Sequence, residues 1–117
     1  MKEIAIIGST ASGKTALSLQ IAHITNSVIL SLYSLCVYKD IEIASAKPTL
    51  EERGDIIHFG IDEVYPNEEF DVIKFIELYK RTKEYCLLEN KNLIIVGGTG
   101  FYLKALISKV NYSFSFF

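Results

Sequence analysis

A chain of 117 residues, half of them apolar, is expected to fold as one domain around a real core. With 12 Lys+Arg against 14 Asp+Glu the net charge is -2, which excludes a general basic footprint for nucleic acid and confines any such contact to a local patch. The two cysteines, Cys36 and Cys86, belong to no Cys-x-x-Cys or Cys/His cluster, so zinc and a disulfide framework are not expected, and a reducing, cytoplasmic setting is.

In chain order, Met1-Lys2-Glu3 leads without a leader-like pattern into Ile4-Ala5-Ile6-Ile7, and no apolar run is long enough to span a bilayer. Ile4–Ile7 is fully apolar, as a buried parallel strand would be. Next comes Gly8-Ser9-Thr10-Ala11-Ser12-Gly13-Lys14-Thr15, which reads G-x-x-x-x-G-K-T, the phosphate-cradling P-loop of nucleotide-binding proteins. The chemistry needs these residue types. Gly8 and Gly13 allow backbone conformations closed to other residues, so that N–H groups can turn inward around a phosphate. Lys14 supplies a mobile cation, and the Thr15 hydroxyl suits Mg²⁺. A helix over Lys14 to about Thr25 follows, and its positive end adds to the anion site. Strand, glycine loop and helix together are the context the motif requires; a chance GKT in a glycine-rich turn is the alternative.

Asn26-Ser27 is a break, and Val28–Leu32 a second strand. Tyr33 to Pro48 reads as a loop with at most one helical turn. Thr49-Leu50-Glu51-Glu52 has the form of a capping box, and Ile57–Ile61 a short strand. Asp71 to Glu89 is the clearest amphipathic helix: Val72, Phe75, Ile76, Tyr79 and Tyr85 or Cys86 recur at helical spacing, with Asp71 as N-cap and Asn90 as stop. Leu93–Val96 is another buried strand, ended by Gly97-Gly98-Thr99-Gly100, and Phe101 to Ser108 starts a further helix. Asn111 to Phe117 alternates Tyr or Phe with Ser and reads either as an edge strand or as a divergent tail; the abrupt change of composition favours the tail. The expected fold is therefore α/β, a P-loop NTPase-like parallel sheet with flanking helices over residues 1–110, with 111–117 as tail. In such sheets the active residues gather at the carboxyl ends of the strands. The P-loop, the loop from Tyr33 and Gly97–Gly100 all leave from there.

Five stretches now stand in a recognisable order: the P-loop, Ser34-Leu35-Cys36-Val37-Tyr38, Ala44-Ser45-Ala46-Lys47-Pro48-Thr49, His58-Phe59-Gly60-Ile61-Asp62, and Val96-Gly97-Gly98-Thr99-Gly100-Phe101-Tyr102-Leu103-Lys104-Ala105-Leu106. Over Met1 to about Ile107 the chain resembles the tRNA dimethylallyltransferases, or isopentenyltransferases. The P-loop alone is common to many NTPases; its combination with A-K-P and G-G-T-G-x-Y-L is specific. The resemblance implies transfer of a dimethylallyl group from dimethylallyl diphosphate to N6 of an adenosine beside the tRNA anticodon. The P-loop, Gly8 to Thr15, would then hold a diphosphate that leaves, rather than a triphosphate that is split. Leu93–Val96 ends in Gly-Gly-Thr with no acid, whereas P-loop hydrolases carry a Mg²⁺-binding acid at a strand end.

The resemblance also implies Tyr33, Ser34, Leu35, Cys36 and Thr99 as the residues that meet the tRNA, with Thr99 beside the reacting adenosine and the leaving group. A turn with Thr99 as N-cap is the structural alternative for Gly97–Gly100. The chain departs from the family pattern in two places there. Tyr33 stands where the family has the aspartate that accepts the N6 proton, and Cys36 stands where it has a glutamine that grips the adenine. Tyr38 keeps the family residue and reads equally as a core aromatic. The family's tRNA-binding insertion and further core elements, including a catalytic-region arginine, lie beyond the stretch matched here, so the resemblance implies an incomplete sheet and a stretch that is inactive by itself. A monomer with no membrane partner is expected. The alternatives are a small P-loop nucleotide kinase, which would show a cluster of lid arginines, and a non-catalytic nucleotide-binding remnant.

Overall fold

The computed structural model describes residues 1–7, 14–31, 49–61, 72–97 and 115–116. Eight elements lie within them: β1 (Glu3–Ile7), α1 (Lys14–Thr25), β2 (Ser27–Ser31), α2 (Leu50–Arg53), β3 (His58–Phe59), α3 (Val72–Glu89), β4 (Asn92–Gly97) and β5 (Ser115–Phe116). The strands form one sheet in the order β3-β2-β4-β1-β5, and each neighbouring pair is parallel. A parallel pair cannot be closed by a tight hairpin, so the chain must cross over the sheet between strands, and the helices cover its faces.

The period-2 geometry of strands sorts the apolar runs onto two faces. Val28 and Leu30 of β2 and Leu93 and Ile95 of β4 meet Phe75, Leu78, Tyr79 and Cys86 of α3 on one face. Ile29, Ile94, Val96 and Ile6 meet Ala22 of α1 on the other, with Leu17 and Ile21 packed alongside. Continuous apolar strands are thus required, because both faces are covered.

The long helix follows its predicted stripe with adjustments. Phe75, Tyr79 and Cys86 are buried as expected, and Leu78 and Thr82 join them. Thr82 can be buried because its hydroxyl donates to the Leu78 carbonyl at 2.8 Å. Tyr85 lies at the margin, its ring tilted against Phe59 at 5.6 Å. Both long helices stop at an asparagine with positive φ, Asn26 at 53° and Asn90 at 55°, a conformation asparagine tolerates better than most residues. Asn90 is the stop expected from the sequence. The capping box is present: Glu52 N–H donates to Thr49 Oγ1 at 3.1 Å and Thr49 N–H to Glu52 Oε1 at 3.0 Å. The bond from the Thr49 backbone N–H, and then the Thr49 hydroxyl, lower the pKa of the Glu52 carboxyl.

Several boundaries differ. The first and second strands start one residue earlier, at Glu3 and Ser27, the strand expected over Leu93–Val96 runs from Asn92 to Gly97, and the one expected over Ile57–Ile61 is only His58–Phe59. At the other end, Ser115–Phe116 pairs in parallel with Ile4 and Ala5. For those two residues the edge-strand alternative is the one realised. The N-cap at Asp71 and the helix from Phe101 lie outside the described residues.

Candidate functional site

The strand order brings three motif-bearing exits side by side. β4 lies between β1 and β2, with Ile7 opposite Gly97 and Val96 opposite Ser31. The chain therefore leaves β1 at Ile7, β4 at Gly97 and β2 at Ser31 at one level of the carboxyl edge. Gly8 follows the first exit, Gly98-Thr99 the second, and Leu32-Tyr33 the third. This is the edge at which open α/β sheets bind ligands.

The start of α1 belongs to the same edge. The helix begins at Lys14, directly after the glycine-rich stretch. Its packing against Ile6, Ile29, Ile94 and Val96 through Ala22 and neighbouring apolar residues fixes it over β1, β4 and β2. Ser18, on the same side one turn before Ala22, is buried as well. Two small side chains one turn apart let the helix lie close to the sheet. The first-turn N–H groups of a helix have no partner within it and favour an anion.

A fourth exit joins these. β3 pairs with β2 so that Phe59 lies opposite Leu30, and Gly60 follows at the level of Ser31. Gly60 has φ of 83°, a left-handed conformation that favours glycine. A Cβ at this position would run into the Ser31 carbonyl oxygen, and would lie 3.2 Å from the Ser31 nitrogen and 3.3 Å from its carbonyl carbon. Two backbones are thus in close contact beside the exit toward Tyr33. His58, one position before Phe59, places Nδ1 3.1 Å from the Ile56 carbonyl oxygen. A carbonyl can only accept, so Nδ1 carries the proton. Burial pushes the His58 pKa down, Arg53 adds to this, and the bond to Ile56 opposes it.

The backbones of Lys14 and Thr15 are in the first turn of α1. Gly8, Ser9, Thr10, Ala11, Ser12, Gly13, Tyr33, Ser34, Leu35, Cys36 and Thr99 lie outside the described residues, as do Tyr38 and Asp62. What the structure brings together is the set of strand ends from which those residues continue. In the sequence Gly60 stands within His58-Phe59-Gly60-Ile61-Asp62; a glycine immediately after a short strand is the available signal, but nothing local to it names Ser31 as the neighbour. A cleft of about 140 Å³ lined by His23, Asn26, Ser27, Asp55 and Lys91 opens at the opposite, amino edge and shares no residue with these exits.

Comparison with known proteins agrees with this arrangement. The chain is 81% identical over 107 residues to a tRNA dimethylallyltransferase of Aliarcobacter butzleri, covering 92% of this chain and 37% of that protein. It is 57% identical over 106 residues to a tRNA dimethylallyltransferase of Campylobacter curvus, covering 91% of this chain and 36% of that one. The crystal structure of the full-length tRNA isopentenylpyrophosphate transferase of Bacillus halodurans matches with a TM-score of 0.84 at 36% identity, over 96% of this chain and 37% of that chain. A eukaryotic dimethylallyltransferase crystallised acting on tRNA matches with a TM-score of 0.84 at 36% identity, over 93% of this chain and 27% of that chain. The chain thus spans little more than a third of the length of the curated relatives it matches. The family model for IPP transferase matches residues 36–115, more than half of the chain, and the chain belongs to the IPP transferase family.

Proposed function

We propose that this chain is the donor-binding part of an enzyme that moves a dimethylallyl group from dimethylallyl diphosphate to N6 of an adenosine beside a tRNA anticodon. The observation that carries this is the side-by-side exit of β1, β4 and β2, whose continuations are the P-loop, Gly98-Thr99 and Leu32-Tyr33-Ser34. One edge can then serve both halves of the reaction: a diphosphate grip from β1 and α1, and groups facing the adenosine from β2 and β4.

The chemistry follows from charge. When the bond between the dimethylallyl carbon and the diphosphate oxygen breaks, negative charge grows on the leaving group. The N–H groups of residues 8–15, the start of α1 and the Lys14 ammonium stabilise that charge where it develops. Thr15, in the first turn of α1, offers a hydroxyl of the hard oxygen type that Mg²⁺ prefers alongside phosphate oxygens. Bound there, Mg²⁺ would neutralise part of the diphosphate charge. The attacking amine must lose a proton. A neutral Tyr33 hydroxyl, with an ordinary pKa of about 10, can orient the amine through its oxygen lone pairs but is a weak acceptor for that proton. By the family resemblance Thr99 would serve beside the reacting adenosine and the leaving group, and Ser34, Leu35 and Cys36 would be among the residues that meet the tRNA. A cytoplasmic setting, where tRNA is modified, fits this reading. No helix among the described residues is long and apolar enough to cross a membrane.

Calorimetric titration of the chain with dimethylallyl diphosphate and Mg²⁺ tests the donor half. Saturable binding that ATP does not displace supports the reading. Preferential binding of ATP would favour a nucleotide kinase instead.

A further inference from the structure

We infer that Gly60 is a positioning residue: its bare Cα lets the exit of β3 press against the Ser31 peptide and so sets the direction in which the chain leaves β2 toward Tyr33. The inference rests on the transferase reading above for what that direction serves, but the contact itself stands on geometry.

Three observations carry it. Gly60 has φ of 83°, where an L side chain is strained. A Cβ there would collide with the Ser31 carbonyl oxygen and crowd the Ser31 nitrogen and carbonyl carbon. Those atoms are backbone, so no side-chain rotation relieves the collision; the strand end itself must move. The neighbours give little room for that. Ser31 is buried and in register with Val96, and Ile61, next after Gly60, is buried too. A Cβ at residue 60 would therefore have to displace the Ser31 peptide itself, from which Leu32 and Tyr33 follow in sequence.

In the transferase reading the residue two positions after Ser31 is Tyr33, whose hydroxyl would orient the attacking amine. A shift of about 1 Å in a reacting group can cost about a hundredfold in rate. Substitution at Gly60 should thus act on the chemical step and leave the donor grip on β1 and α1 unchanged.

Gly54 provides a matched control. It also has positive φ, 57°, but nothing lies within 4 Å of a Cβ built on it. Gly54→Ala imposes the backbone strain without the collision. Two measurements separate positioning from stability. In the ¹⁵N-labelled chain, Gly60→Ala should shift the Ser31, Leu32 and Tyr33 amide resonances, and Gly54→Ala should leave them in place. In the chain continued after Ile107 with the remaining sequence of the Aliarcobacter butzleri relative, Gly60→Ala should lower kcat at least about tenfold with the donor KM within about twofold, whereas Gly54→Ala should change neither. Ile61→Val, which trims the buried anchor beside Gly60 and is mild enough to keep the fold, should move the same amides by less and serves if Gly60→Ala does not fold. Unshifted amides in every folded variant at 60 and 61 would overturn the inference. So would an unchanged kcat in a folded, active Gly60→Ala protein. Absence of transfer by the continued chain with Gly60 intact would instead count against the transferase reading, and the amide shifts would still decide the contact.

Discussion

The Tyr79 hydroxyl of α3 donates to Glu3 Oε1 of β1 at 2.5 Å, joining residues 76 positions apart. Tyr79 is buried within the core between α3 and the sheet, so its hydroxyl needs a partner there. The bond ties α3 to the strand that leads into the P-loop. Because α3 otherwise packs on β2 and β4, this contact extends its hold to the third of the three central strands.

Tyr79→Phe should therefore destabilise the fold by about 1.5–3 kcal/mol, the range for a hydrogen bond to a charged group. Burial, and then the bond to Glu3, raises the Tyr79 pKa well above its ordinary value of 10.0. A raised pKa means that the folded state holds the proton more tightly. The stabilisation is complete below pH 10 and is lost as pH climbs past the unfolded tyrosine's value. Urea denaturation at pH 8 and at pH 10.5 should show a fall in stability in the wild type that is smaller in Tyr79→Phe. Equal falls in both proteins would contradict this role.

His58 predicts the opposite limb. Burial lowers its pKa from 6.5, so the folded state disfavours the proton. Its stabilisation is complete above pH 6.5 and is lost as pH drops from there through the lower folded value. His58→Gln, which does not titrate, should flatten the decline in melting temperature between pH 7.5 and pH 5. An undiminished decline would assign it to the carboxylates.

Lys14 should matter for binding and little for the fold. Lys14→Ala removes a charge-assisted contact of about 1.5–3 kcal/mol, so affinity for dimethylallyl diphosphate with Mg²⁺ should fall roughly ten- to a hundredfold by calorimetry. An unchanged affinity would mean that residues 8–15 do not hold the diphosphate.

Much of the fold was legible because its signals are local. The apolar runs at Ile4–Ile7 and Leu93–Val96, the spacing of Phe75, Tyr79 and Cys86, the Thr49–Glu52 box and the stop at Asn90 are each contained within a few residues. Strand order is not local: no periodicity states that β4 sits between β1 and β2, and the site depends on that. Thr82 reads as polar on an apolar face until its bond to the Leu78 carbonyl is seen. The bond between Glu3 and Tyr79 and the contact between Gly60 and Ser31 join distant positions and leave no mark in either neighbourhood. At Ser115–Phe116 composition pointed to a tail, and pairing with β1 overrode it. For the site, the P-loop was legible as a motif, and the structure adds the shared edge from which its neighbours continue.

Tyr33→Asp should raise single-turnover transfer at least about tenfold in the chain continued after Ile107 with the remaining Aliarcobacter butzleri sequence, since a positioned base is worth about 10²–10⁴ in rate. Single-turnover rates of the two proteins check this. No change, or a fall with the fold intact, would place the base elsewhere, with Asp40 and Asp62 the first residues to examine.

Transfer itself is the most direct measurement. The continued chain, with Tyr33 and as Tyr33→Asp, is incubated with tRNA, Mg²⁺ and dimethylallyl diphosphate labelled in the dimethylallyl group. The account predicts label on N6 of an adenosine beside the anticodon, faster in Tyr33→Asp and abolished or strongly reduced by Lys14→Ala. Labelled tRNA from neither protein, while both bind the donor, would contradict it.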